Sequence, residues 1–350
     1  MNETTGMILE WVLKSAVVVV ICLIGFAYTT YYERRFLARI QVRIGPNRAG
    51  PWGLLQPVAD GVKLIFKEEL VPAKAYKFAF MLAPILTMAP AIIVMGVVPW
   101  GTQANFFGRE IMLGISNNLN VGILYILSVT SIAIYGIVLA GWSSNNKYAM
   151  LGGLRSTAQM ISYELALGLS FLPPIMLAGS LSLGDIVQAQ INAFPTSFAW
   201  SELAKLVYFL PLIPTGILFF IAVLAEVNRA PFDMPEAEQE LVAGYHTEYS
   251  GMKFALFFMG EYVKMFSMSA VFSTMFLGGF AGPFVEQVPW LGPVYLLIKI
   301  ILCLGVMIWI RGTLPRFRYD RLMKFGWTVM LPFALINVLL TALVITIFSL

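Results

Sequence analysis

The sequence predicts an all-α integral membrane protein of about eight transmembrane helices plus an interfacial amphipathic helix. Composition points there first. Of 350 residues, 59% are hydrophobic and only 12% charged, against roughly 25% charged in soluble domains. So few charges cannot cover a folded chain in water, whereas hydrocarbon removes the need. Spacing points there next. Apolar stretches sit near residues 8–31, 76–99, 119–141, 155–179, 205–225, 253–279, 290–311 and 326–349. Each is close to the ~20 residues that cross a hydrocarbon core as a helix. Charge placement is the third observation. The loops after the first, third, fifth and seventh spans hold 18 Lys and Arg, and the alternate loops hold only Arg109 and Lys205. This is a positive-inside pattern, with both termini periplasmic and the odd-numbered loops cytoplasmic.

The first span begins near Met7 and lacks a basic leader and a clear cleavage site, so it reads as a retained helix rather than a signal peptide. Its exit, YYERRFLARIQVRIGPNRAG, mixes aromatics, Glu33 and arginines. Residues 52–70 follow, WGLLQPVADGVKLIFKEEL. There Leu54, Leu55, Val58, Val62, Ile65 and Phe66 recur near helical spacing, with Asp60, Lys63 and Lys67 on the other side. That is the pattern of a helix lying at the membrane surface. Pro84 and Pro90 predict kinks in the second span. No repeat or low-complexity linker divides the chain, so residues 1–350 read as a single polytopic membrane domain.

Chemistry is bounded by what is scarce. Cys22 and Cys303 are the two cysteines, both in apolar runs, with no CxxC pair, and His246 is the one histidine. Cysteine-based zinc or iron–sulfur ligation is excluded, as is a bis-histidine haem. The net charge of +4 is accounted for by topology and calls for no nucleic acid.

Several charges lie where hydropathy places membrane. Glu164 follows Arg155 along one helix by about 13 Å, and Glu261 follows Lys253 by about 12 Å. Lys264 stands three residues after Glu261, where the two can pair. Lys299 falls near the middle of the seventh span. Each ionised group at such depth costs at least ~2.5–3.5 kcal/mol. A helix-locking ion pair is one reading and a proton relay the other. The fifth loop is densest: AEVNRAPFDMPEAEQELVAGYHTEYSGMKF carries Glu226, Asp233, Glu236, Glu238, Glu240 and Glu248. On a helix Glu236 and Glu240 share a face and Glu238 points away. Like charges that close raise one another's pKa and hold protons at neutral pH. The plainer alternative is a solvated acidic loop. After the seventh span, RGTLPRFRYDRL combines Arg316, Arg318, Tyr319 and Asp320. It reads as a lipid anchor or a protein-docking patch.

At these stretches the chain resembles the H subunit of bacterial respiratory complex I, the proton-pumping NADH:quinone oxidoreductase (NADH dehydrogenase subunit 1 in mitochondria). The resemblance is carried by YYERRFLARIQVRIGPNRAGPWGLLQPVADGVKL, GWSSNNKYAMLGGLRSTAQMISYE, the fifth-loop stretch with FMGEY, and WIRGTLPRFRYDRLM. It covers nearly the whole chain. It implies a place in the bacterial inner membrane between other subunits of complex I, the peripheral quinone-site subunits and the adjacent membrane-arm subunits. It implies quinone as substrate, with FMN and Fe–S clusters held by partner subunits and no cofactor in this chain. By motif, Glu33, Arg34, Arg35, Asp60, Lys63 and Phe232 would border the quinone cavity. Glu164, Glu226, Asp233, Glu236, Glu238, Glu240 and Glu261, with Lys264 and Lys299, would serve the proton path. Arg316, Arg318 and Asp320 would face partner subunits. Some relatives carry a further acidic residue in the third span, and residues 119–141 contain none here. Two rival readings are the related membrane subunit of an energy-converting hydrogenase and a stand-alone ion/proton antiporter. The second would often show inverted repeats, which this sequence does not display.

Overall fold

The computed structural model describes residues 3–106, 109–116, 119–194, 204–233, 244–285 and 287–348. Among them, eight helices are long and apolar enough to cross a membrane, so the protein is an all-α, multi-pass membrane protein. In chain order, α1 spans Glu3–Ile40, α2 Gln56–Ile65, α3 Lys77–Met95, α4 Gly122–Ser143, α5 Lys147–Ala178 and α6 Leu183–Ala193. Then come α7 (Leu212–Glu226), α8 (Gly251–Phe276), α9 (Leu291–Thr313), α10 (Tyr319–Phe325) and α11 (Leu331–Phe348). A π-helical turn, Gly326–Met330, joins α10 to α11 into the last span. The one strand pair among the described residues, β1 (Gln103–Phe106) with β2 (Arg109–Met112), is an antiparallel hairpin in an alternate loop where no motif was legible.

Two helices overrun the apolar stretches that announced them. α1 continues through Glu33, Arg34, Arg35 and Arg39, so its 38 residues reach about 57 Å, well beyond a ~30 Å hydrocarbon core. α5 starts at Lys147, capped by the Asn146 side chain accepting from Tyr148 N at 2.9 Å. It ends at Gly179, whose left-handed φ of 66° closes the helix. Arg155 is therefore an intrahelical residue, its guanidinium 5.9 Å from the Tyr319 ring centre.

α3, α4, α5, α7 and α8 pack in a closed ring, each against the next and α8 back against α3. α1 and α9 lie outside α8, and α11 lies outside α5. Small residues set the closest approaches, as expected where lipid supplies no hydrophobic drive between helices. A Cβ on Gly136 of α4 would come within 2.6 Å of Thr87 on α3. One on Gly152 of α5 would come within 2.7 Å of the Gly244 backbone.

α7 decides where the site forms. With the 3-10 turn Ala204–Phe209 ahead of it, it completes a span that ends at Glu226. The chain after Glu226 leaves regular helix while still inside the protein, and residues 225–233 are all buried. Irregular backbone at membrane depth is tolerated only where protein groups satisfy it. The alternative of a solvated acidic loop does not hold for this first part. Glu236, Glu238 and Glu240 lie outside the described residues.

Candidate functional site

α8 is a wall between two compartments. On its outer side, α1, α2 and α8 enclose a cavity of about 410 Å³. Its apolar lining includes Phe26, Phe258 and Met259, and its polar mouth is Arg34, Asp60 and Lys63. The amphipathic pattern of α2 explains this arrangement. Val58 and Val62 are exposed, as apolar side chains are against lipid, while Asp60 and Lys63 turn to the cavity. Arg34 Nη1 donates to Asp60 Oδ2 at 2.6 Å, and Gln56 Nε2 donates to Asp60 Oδ1 at 3.1 Å.

The other residues expected at this cavity sit elsewhere. Arg35 turns to the 3-10 turn Pro51–Gly53 ahead of α2, donating to the Trp52 carbonyl at 3.2 Å and to the Tyr31 hydroxyl. Glu33 points to the opposite side of α1, is buried, and forms an ion pair with Arg311 of α9. On a helix, adjacent residues face about 100° apart, so a run such as Glu33, Arg34, Arg35 cannot share one surface. Phe232 is packed between Tyr163 and Phe317, its ring centre 5.5 Å and 5.7 Å from theirs.

From α9 and α1 past α8 into the helix ring, the charges form a file. From Arg311 and Glu33 it passes to Arg229, whose Nη1 is 3.7 Å from Glu33 Oε1. Arg229 Nη2 reaches Glu261 Oε2 at 4.0 Å, and its guanidinium lies 4.2 Å from the Tyr262 ring centre. Glu261 Oε1 accepts from the Tyr245 hydroxyl at 3.1 Å. Lys264 does not follow the helical-spacing expectation. Its Nζ pairs with Glu226 Oε1 at 3.1 Å and donates to the Glu226 carbonyl at 3.1 Å. The C-terminus of α7 offers both a carboxylate and an unpaired carbonyl there, which a same-helix glutamate cannot match. Glu226 Oε2 is buried with no hydrogen-bond partner among the described residues. Glu226, Glu261, Lys264 and Tyr245 line a cavity of about 30 Å³, room for one water.

Glu164 lies further along the ring on α5, half-buried, accepting from the Ser131 hydroxyl of α4. Its carboxyl is within electrostatic reach of Glu226 and Lys264. Asp233 pairs with Arg316 Nη2 at 3.0 Å, so Arg316 is partly engaged within the chain. Arg318 and Asp320 pair at 3.1 Å and are largely exposed. Lys299 is not brought to the file. Its ammonium donates to the carbonyls of Leu277, Gly279 and Ala281 at 2.7–2.8 Å. These follow the C-terminus of α8, where carbonyls lack helical partners and a cation is favoured. His246 is buried against Tyr245, Phe254 and Phe258, and burial lowers its pKa to about 4. It is neutral at pH 7 and adds no charge. Burial likewise pushes the Tyr249 hydroxyl up to about 12.

Four members of this assembly were not singled out by sequence reading: Arg229, Arg311, Tyr245 and Ser131. The two arginines were absorbed into the topology count. The signal for Arg229 was its place three residues after Glu226 in an otherwise apolar run.

Relatives share this chain along almost its entire length. A protein of Syntrophobacter fumaroxidans, named as a second H subunit of NADH-quinone oxidoreductase, is 48% identical, covering 97% of each chain. One of the same name from Geobacter metallireducens is 50% identical over 96% of this chain and 95% of its own. The NADH-quinone oxidoreductase H subunit of Thermomicrobium roseum is 50% identical over 91% of both. The model of the NADH dehydrogenase family matches residues 13–342, and with full-length relatives named as H subunits of NADH-quinone oxidoreductase, this chain belongs to that family.

Proposed function

We propose that this chain, as a single polytopic unit, is the membrane subunit that admits quinone to an NADH-quinone oxidoreductase and couples its reduction to proton movement. The observation that carries the reading is the double use of α8. Met259 and Tyr262 face the apolar cavity, while Glu261 and Lys264 face the buried charges. The cavity between α1, α2 and α8 suits a long apolar ligand with a polar head, opening beside lipid-facing α2. Redox chemistry belongs to partner subunits that hold FMN and Fe–S clusters. The chain's own part is electrostatic. A quinone that gains electrons also takes up protons, which changes the charge felt across α8. Arg229, held between Glu33 and Glu261 over the Tyr262 ring, is placed to respond. Glu261, Tyr245, Glu226 and Glu164 then form the route by which protons move through the ring. Glu164, half-open beside Ser131, passes them toward adjacent membrane subunits. Asp233, Glu236, Glu238 and Glu240 supply the acidic approach from the quinone side, and Arg318 with Asp320 meets the peripheral subunits.

Arg34→Ala and Lys63→Ala test the cavity. Each is expected to lower quinone reduction on the order of tenfold while NADH oxidation by ferricyanide stays normal, since that acceptor takes electrons upstream. Equal loss of both activities in fully assembled complex would remove the cavity from the account.

The basic ends of the helices face the cytoplasm in this proposal. Cys22 and Cys303 are buried, so a cysteine introduced at Lys74 is a clean reporter. It is expected to resist a membrane-impermeant maleimide in intact cells and to react in inverted vesicles. Ready labelling from the periplasm would reverse the orientation.

A further inference from the structure

Gln159 is a fully buried, uncharged side chain on α5 that lines neither cavity. Its amide nitrogen donates to the carbonyl of Ala225 at 2.8 Å and to that of Phe232 at 2.7 Å. Asn228 Oδ1 lies within 3.3 Å of the same nitrogen. Ala225 is in the last turn of α7 and Phe232 is near the end of the irregular segment that follows. One amide thus holds both ends of a stretch that has no regular secondary structure to hold it. Within the stretch, Asn228 has φ 54°, a left-handed conformation that Asn adopts more readily than other non-glycine residues and that turns the chain there.

The amide has a cost of its own. Gln159 Oε1 is buried without a hydrogen-bond partner among the described residues. An apolar side chain of the same size would avoid that penalty. What the position uses is therefore the pair of N–H donors, not the volume. Glu226, Arg229 and Asp233 all ride on the stapled stretch. Moving it changes three spacings together: Glu226 to Lys264, Arg229 to Glu33 and Glu261, and Asp233 to Arg316.

We propose that Gln159 is a positioning residue that sets the register of the buried charge file by stapling residues 225–232 to α5. The proposal rests on the coupling role argued above. It goes beyond that role because Gln159 neither titrates nor touches the quinone cavity.

The test uses the whole complex in native membranes. Gln159→Met keeps size and removes both donors. It is expected to assemble, to keep normal NADH:ferricyanide activity, and to lower kcat for quinone reduction on the order of tenfold with little change in KM. Protons moved per electron should fall as well. On an Asp233→Asn background the same replacement should cost little more, because residues acting through one network are not additive. Normal kcat per assembled complex, or full additivity with Asp233→Asn, overturns the proposal. If Gln159→Met does not assemble, Gln159→Asn, which keeps an uncharged amide but draws it back by one methylene, replaces it and is held to the same outcomes. Failure of both to assemble also overturns the proposal, leaving a bond needed only for folding. Normal turnover and pumping in the Asp233→Asn single variant would instead count against the coupling reading, and so the two failures are separable.

Discussion

Lys264→Met is expected to prevent accumulation of assembled complex, and Glu226→Gln in the same chain is expected to restore it. Lys264 and Glu226 are both buried and meet at 3.1 Å inside the helix ring. Removing one member of such a pair leaves the other charged without compensation, or forces it to change protonation, at a cost of about 3–5 kcal/mol. That is a large share of the stability of a typical domain. Methionine matches lysine in length, so packing contributes little to the loss. With Glu226→Gln added, both charges are gone and the buried residues are neutral. Assembly then recovers, but the carboxyl group at the end of α7 is missing. The double variant should therefore oxidise NADH with ferricyanide normally and pump poorly. Native-gel quantities of complex measure the first effect and proton uptake the second. Normal assembly of the Lys264→Met single variant would show that the pair is not held as buried ions.

The eight spans were legible because hydropathy acts locally, along one helix at a time. So was the two-faced character of α2, since Asp60 and Lys63 alternate with apolar residues at helical spacing. What escaped depends on contacts between helices. Glu261 and Lys264 have ideal spacing for a pair, yet the end of α7 competes for the lysine with a carboxylate and an unpaired carbonyl. Lys299 reads as mid-span charge in one dimension. In three, it is the donor that the carbonyls after α8 require. Glu33, Arg34 and Arg35 are consecutive in sequence but diverge by the helical turn, so only Arg34 reaches the cavity. Arg229 and Arg311 look like ordinary loop-side cations until α1 brings Glu33 between them. The burial of residues 225–233 and their tie to Gln159 were not legible, because the residues joined are far apart in sequence.

The second large effect is expected at Glu261 and Glu164. Glu261→Gln keeps an oxygen that can accept from Tyr245, and Glu164→Gln keeps one for Ser131. Shape and hydrogen bonding survive while the titratable proton is lost. A structural role predicts little change from such replacements, because Arg229 retains Glu33. A relay predicts a loss on the order of a hundredfold in the proton-transfer step if each carboxyl group is an obligatory stop.

The most direct test is the number of protons translocated per NADH oxidised, measured together with the quinone-reductase rate on purified complex reconstituted in sealed liposomes. For Glu261→Gln the account predicts normal amounts of assembled complex, with proton translocation strongly reduced and turnover slowed alongside it. Glu164→Gln should behave in the same way. Wild-type rate and wild-type proton yield in both variants would contradict the account and leave the buried charges as scaffolding.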